Sequence, residues 1–185
     1  MRVGVGEFLL ALAGVSATLL GTFIVGVFFY IDSDLHRRIS ASESADLYVR
    51  SGMRWVFVAY ALPLFVALAL AALDPLWGTL AFILLGIMLL VTSVDTGRRI
   101  LMKGGSGASK AVVVNEWVTS AAVLTALMLP WVLGGWVPEP SAFIPSLLLV
   151  LGAGFASTAA LVMAEFDATL GITRPHDHTP AGPPV

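Results

Sequence analysis

Residues 8–31 read FLLALAGVSATLLGTFIVGVFFYI, a run of 24 residues without a charged side chain. A helix needs about 20 apolar residues to cross the ~30 Å hydrocarbon core of a bilayer. The run is apolar on all sides instead of along one stripe, which is typical of a helix surrounded by lipid and by other helices. It is therefore predicted to be a membrane-spanning helix.

The same pattern recurs along the whole chain. Uncharged runs of 24, 19, 19, 21 and 24 residues lie at 8–31, 55–73, 76–94, 117–137 and 141–164. The composition agrees, because 58% of the 185 residues are hydrophobic and only 12% are charged, half the charge of an ordinary soluble domain. The sequence predicts an all-α membrane protein with five transmembrane helices, built as one helix plus two helical hairpins. The transmembrane domain is expected to cover residues 1–164.

The first run has a second interpretation, as a secretory signal peptide. Arg2 precedes it, and Ala11-Leu12-Ala13 imitates a small-residue cleavage site. The apolar core of a signal peptide is roughly 7–15 residues long, whereas this run continues to Ile31. We therefore expect a retained span and a mature chain that starts near Met1.

Lysine and arginine are distributed unequally between the two sides of this arrangement. Nine of them fall in the connections 32–54 and 95–116 and in the tail, and only Arg2 falls on the opposite side. Positive residues beside a span resist translocation. The sequence therefore predicts a multi-pass plasma (inner) membrane protein with its N-terminus outside and its C-terminus in the cytoplasm. The proline-rich tail, 165–185, is predicted to be disordered from about residue 173.

Tryptophans stand near the ends of the runs, as expected for rings that favour the headgroup level of a bilayer. Trp55 and Trp117 open the second and fourth runs, and three more lie at the opposite ends of theirs: Trp77, Trp131 and Trp136. A Trp-Val pair at both openings leaves open that one hairpin is a duplicate of the other.

Small residues are frequent in the first run. The spacing Ala17-x-x-x-Gly21 allows helix backbones to approach closely. We assign Gly14, Ala17, Gly21 and Gly26 to a helix-packing or oligomer face. Packing against the two hairpins of the same chain is the simpler interpretation, and contact with another copy of the chain is the alternative.

Ionisable residues are concentrated at the predicted cytoplasmic boundary. Ion pairing that holds the helices at a fixed depth is one interpretation, and the polar mouth of a channel or permease is the other. The candidates for such a mouth are Asp32, Asp34, Asp95, Arg98, Arg99, Glu116 and Glu165. Glu116 is the strongest single candidate. The apolar residues 111–114 precede it, so it would lie deeper in the membrane if the fourth helix starts before residue 117.

The sequence contains no catalytic constellation. It has no cysteine, and its histidines lie in Asp32-x-Asp34-x-His36 and His176-Asp177-His178, whose spacing is only weakly typical of metal ligands. No catalytic, cofactor-binding or metal-binding residue is assigned, and no cofactor is expected. No ionisable residue lies in the middle of a run, where ion-coupled carriers place theirs. A net charge of −2 argues against a nucleic-acid partner.

The stretch AGVSATLLG from Ala13 to Gly21, followed by VGVFFYI from Val25 to Ile31, resembles the first helix of uncharacterised small multi-pass bacterial membrane proteins. The resemblance covers about one run in five. It implies a multi-pass membrane fold and supplies no activity and no site residue.

The sequence has small residues spaced for close helix packing and no set of catalytic residues. This combination favours a non-enzymatic membrane protein that acts by association, with itself or with another membrane complex. An oligomeric channel or small-solute permease is the alternative. In it, hydroxyl pairs such as Thr92-Ser93, Thr119-Ser120 and Ser157-Thr158 line a pore formed by several chains. The expected partners are the lipid bilayer and either a second copy of the chain or another membrane protein.

Overall fold

A computed structural model describes the backbone of residues 4–32, 43–102 and 110–173, and the side chains of residues 4–30, 52–94 and 118–163. Within these ranges the fold is all-helical, which confirms the predicted class. The five helices are α1 (Val5–Asp32), α2 (Glu43–Ala72), α3 (Pro75–Met102), α4 (Lys110–Gly134) and α5 (Pro140–Thr173). The tail predicted to be disordered lies outside the described residues beyond Thr173.

Four of these helices contain segments long and apolar enough to cross a membrane: Val5–Tyr30, Gly52–Ala72, Pro75–Val94 and Pro140–Met163. The apolar part of α4 with described side chains, Val118–Gly134, is shorter. α4 ends three residues before the predicted fourth run does, because Gly135 has a φ of +72°, the left-handed conformation in which helices commonly end. The chain has the helices of a membrane protein.

α2 is the central helix of the bundle. It packs against α1, α3 and α5, and 61% of its apolar segment is buried, compared with 22–28% for the other three segments. Residues 58–62 are all buried. At about 100° per residue, five consecutive residues pass around the whole circumference of a helix, so α2 is covered on every side at this level.

The first hairpin joins α2 to α3 through Leu73 and Asp74. Pro75 is the first residue of α3, a position at which its missing N–H is not needed, and the Trp77 N–H donates to the Asp74 carbonyl at 2.9 Å. The two helices come close just after the turn. A Cβ added at Gly78 would lie 2.2 Å from Leu70 Cδ2, so only glycine fits there without a shift of its neighbours.

The second hairpin joins α4 to α5, and α4 packs mainly on α5. An aromatic cluster connects it to α3, because the Phe82 ring lies 5.8 Å from Trp131 and 5.3 Å, edge to face, from Phe143. Such pairs contribute about 0.5–1.5 kcal/mol beyond the burial of their area. The cluster therefore helps to hold the two hairpins together at this end.

The tryptophans differ in part from their predicted role as anchors. Trp77 and Trp136 are exposed, as expected of rings at the headgroup level. Trp55, in contrast, is only 5% exposed and belongs to the core, because α2 is enclosed by its neighbours. Trp131 is half-buried against Phe82. The Trp117 side chain lies outside the described part of the chain.

Candidate functional site

α1 has two contrasting faces. Leu9, Leu12 and Ser16 are buried on the side of α2, which is the main neighbour of α1. Gly14 and Gly21 lie about 20° apart around the helix, whereas Ser16 lies about 200° from Gly14. Gly14, Ala17, Thr18 and Gly21 are all exposed. We call these four residues the small-residue face; it points away from the bundle.

The glycines of this face make no close contact within the chain. A Cβ added at Gly14, Gly21 or Gly26 would meet nothing within 4 Å. Among the described residues, no close contact of these glycines with the two hairpins accompanies this open space. Gly26 is also exposed, but it lies about 120° around the helix from Gly14, so it is not part of the same face.

Glycines at true contacts inside the bundle behave differently. A Cβ at Gly86 would lie 2.7 Å from Leu127 Cδ2, and one at Gly154 would lie 3.1 Å from Tyr60 Cε1 and 3.2 Å from Ala59 Cβ. Close helix contacts in this chain thus use glycines of α2, α3 and α5. The glycines of α1 remain available to a neighbour outside the chain.

The hydroxyls on α1 do not make this face strongly polar. Thr18 Oγ1 donates to the Gly14 carbonyl and Thr22 Oγ1 to the Thr18 carbonyl, each at 2.9 Å. Because each proton is used within the helix, neither hydroxyl is an unsatisfied donor towards lipid. The face is bordered by exposed apolar side chains such as Leu10 and Val25. It is a shallow, apolar strip about two turns long.

A hydrogen bond between two hydroxyls joins the central helix to α5. Thr158 is one of the residues predicted to line a pore, whereas its partner Tyr60 was not predicted to take part in a site. Tyr60 is 1% exposed, and its Oη lies 2.9 Å from Thr158 Oγ1. Thr158 Oγ1 also lies 2.9 Å from the Gly154 carbonyl, which it can donate to while accepting from Tyr60. The sequence did hold a signal, because Tyr60 carries the one hydroxyl between residues 55 and 73.

We expect Tyr60→Phe and Thr158→Val to be coupled in a double-mutant cycle. Both variants remove the same interhelical hydrogen bond, and such bonds in membrane proteins contribute about 0.6 kcal/mol on average and about 1.7 kcal/mol at most. The measurement is the free energy of unfolding in detergent. Thr125→Val is the control partner, because Thr125 donates only to the Ala121 carbonyl of its own helix. Additive effects for Tyr60 and Thr158 would contradict the assignment.

Other hydroxyls predicted to line a pore are used inside one chain. Ser93 is 5% exposed and its Oγ lies 3.4 Å from Ser120 Oγ, while Thr119 is 7% exposed. Ser146 Oγ donates to the Ala126 carbonyl and so links α5 to α4. Two buried polar atoms have no partner among the described residues, Ser16 Oγ and Trp55 Nε1. The Ser93–Ser120 and Ser146–Ala126 hydrogen bonds thus join helices within the bundle.

The predicted polar mouth is not tested by the described geometry. Asp34 lies outside the described residues. The other candidates belong to helices, but their side chains lie outside the described set: Asp32, Asp95, Arg98, Arg99, Glu116 and Glu165. His36 and the His176-Asp177-His178 cluster are likewise outside it. Among the described residues, no group of three acidic, histidine or cysteine side chains could hold a metal ion. The mouth stays a prediction.

The helices and the exposed apolar surface define the class of the molecule as an α-helical membrane protein. No protein-family model, curated protein or solved structure matches the chain. The resemblance of α1 to small bacterial membrane proteins therefore stays a prediction.

Proposed function

We propose that this chain is a non-enzymatic, five-span protein of the plasma (inner) membrane that acts by association, with a second copy of itself or with another membrane subunit, through the small-residue face of α1. The observation that carries the proposal is the direction of that face. Gly14 and Gly21 are exposed, stand about 20° apart, and have open space where a Cβ would lie.

The energetics of membranes support this use. Lipid tails are as apolar as leucine, so burial alone does not bring helices together, and association depends on close packing. Small residues one or two turns apart let two backbones approach and gain that packing. Leu10 and Phe28 are exposed on the same side of α1, before and after this strip, and Val15 is exposed about 100° around the helix from Gly14. The small residues therefore leave a shallow gap between larger side chains.

The relative directions of the helices support α4 as a membrane span, which brings the number of spans to five. A Cβ at Gly52 would contact Leu161, and one at Gly154 would contact Tyr60, so α5 runs antiparallel to α2. α3 also runs antiparallel to α2 after a two-residue link. α4 must therefore carry the chain back from the end of α3 to the start of α5. Its 25 residues are about 37 Å long, which is enough to cross.

The orientation follows from the charges. With five spans, nine of the ten Lys and Arg residues fall on one side, which the positive-inside rule makes the cytoplasm. The N-terminus is then outside. Every copy in one membrane has the same orientation, so two α1 helices would meet in parallel with their small-residue faces in register.

Cysteine cross-linking tests the association directly, because the natural chain has no cysteine. Ala17→Cys places a thiol on the face, and Leu84→Cys places one on an exposed side of α3. A disulfide requires Cβ atoms about 3.5–4.5 Å apart. We expect oxidation in native membranes to join Ala17→Cys into a species of twice 19.5 kDa. Alternatively, a reagent with a maleimide at one end and a photoreactive benzophenone at the other should join it to a foreign subunit. Leu84→Cys should stay monomeric.

Two outcomes would contradict association through the small-residue face. If Ala17→Cys gives no cross-linked product under either reagent while a labelling reaction shows that its thiol is reactive, the face does not meet another helix. Equal cross-linking of both variants would indicate random collision, and the proposal would also fail.

A further inference from the structure

A groove lies between α1, α2 and α3 at one end of the bundle. It has a volume of about 530 Å³ and is lined by α1 between Phe23 and Phe28, by α2 between Met53 and Val58, and by Met88 and Thr92 of α3. This volume falls within the ~300–1,000 Å³ of typical small-molecule sites. The groove arises because α1 and α3 both pack on α2 and leave a cleft between them.

The walls of the groove are almost entirely apolar. Phe28, Phe57 and Met88 are exposed along it, and flexible methionine and flat aromatic side chains adapt to the shape of a bound chain. The Thr92 hydroxyl donates to the Met88 or Leu89 carbonyl of its own helix. The walls therefore suit hydrocarbon rather than a polar solute.

One cation stands in this lining. Arg54 is exposed and is the third residue of the apolar segment Gly52–Ala72, so it lies at the depth where hydrocarbon meets headgroups. Arginine binds phosphate with two parallel hydrogen bonds. Charge and depth together match a phospholipid headgroup.

We propose that this groove is a binding site for an anionic phospholipid, with the upper part of one acyl chain between α1 and α3 and the phosphate on Arg54. On the proposed orientation, this lipid belongs to the cytoplasmic leaflet, where clustered or single basic side chains attract anionic headgroups. The site does not include any residue of the small-residue face. Lipid binding and association of the chain can therefore be tested independently of each other.

Native mass spectrometry of the full chain in detergent tests the site by titration with phosphatidylglycerol and, separately, with phosphatidylcholine. We expect phosphatidylglycerol to bind roughly fivefold more tightly, since one basic residue near a surface contributes about 1 kcal/mol towards anionic lipid. Arg54→Gln should remove this preference, and Arg54→Lys should retain most of it. Arg2→Gln is the matched control, because it removes one positive charge on the side of the membrane opposite to Arg54 in the proposed orientation.

A second variant tests the groove itself. Val27 is half-buried in its wall, and Val27→Trp should fill the space and weaken binding of both lipids without a change of charge. Circular dichroism and thermal melting check that each variant is folded. An unchanged preference in Arg54→Gln would overturn the proposal. Binding that is lost in Arg54→Gln but kept in Val27→Trp would also overturn it, because it would indicate attraction to surface charge without occupation of the groove.

Discussion

Gly21→Leu is expected to weaken association of the chain by roughly tenfold to a hundredfold while leaving its fold intact. The added side chain meets nothing in its own chain, but it would stand between two backbones packed at the small-residue face. Overpacking of a close contact costs about 1–3 kcal/mol, and each 1.4 kcal/mol is a factor of about ten in affinity. The measurement is energy transfer between labelled chains at increasing dilution in lipid vesicles.

Gly152→Leu is the matched control for this prediction. Gly152 is also an exposed glycine in an apolar helix, and a Cβ there would likewise meet nothing within 4 Å. The same substitution is thus made on α5, away from the proposed interface. If both variants associate as the natural chain does, or if Gly152→Leu weakens association as much as Gly21→Leu, the small-residue face is not the contact.

Gly78→Val is expected to have the largest effect on stability, a loss of about 3 kcal/mol in the free energy of unfolding. An added Cβ would lie 2.2 Å from Leu70 Cδ2 and 2.5 Å from Leu70 Cγ, and Leu70 is buried. The leucine has little free space to move into, so α2 and α3 must separate near their turn. The measurement is the unfolding midpoint in mixed micelles with increasing denaturing detergent.

Two further sets of variants test whether the clash with Leu70 causes the loss of stability. Gly152→Ala should leave the midpoint unchanged or raise it, because alanine has the higher helix propensity, by about 1 kcal/mol. Gly78→Ala combined with Leu70→Ala should be less destabilised than the sum of the single variants, since the second change removes the clash. A Gly78→Val protein as stable as the natural one would show that the two helices are not in close contact there.

The helical class and the hairpin turns could be predicted from the sequence because both depend on local features. An uncharged run of about 20 residues has few alternatives to a helix in a bilayer, and Asp74-Pro75 is at once a helix end and a helix start. The exact residues at which the helices end depend on the backbone conformation of single residues, which the hydrophobic pattern does not indicate. The left-handed conformation of Gly135 ends α4 inside an apolar run.

The direction of the α1 face could not be predicted from the sequence. In a soluble protein the polar side of a helix marks the exposed face, but lipid and protein interior are both apolar, so a run such as residues 8–31 has no marker of that kind. Small residues indicate close helix packing, but they do not distinguish a helix of the same chain from a helix of another chain. Trp55 shows the same ambiguity, because a ring near a span end can lie at the lipid headgroups or, as here, inside the bundle.

The mass of the complex extracted directly into native lipid nanodiscs is the most direct test of action by association. We expect a mass that corresponds to two or more 19.5 kDa chains, or to one chain with a stoichiometric foreign subunit. Gly21→Leu should shift this mass to that of a single chain. If the natural chain, at the level at which the cell makes it, is found as a single 19.5 kDa chain in the nanodisc, it does not act by stable association.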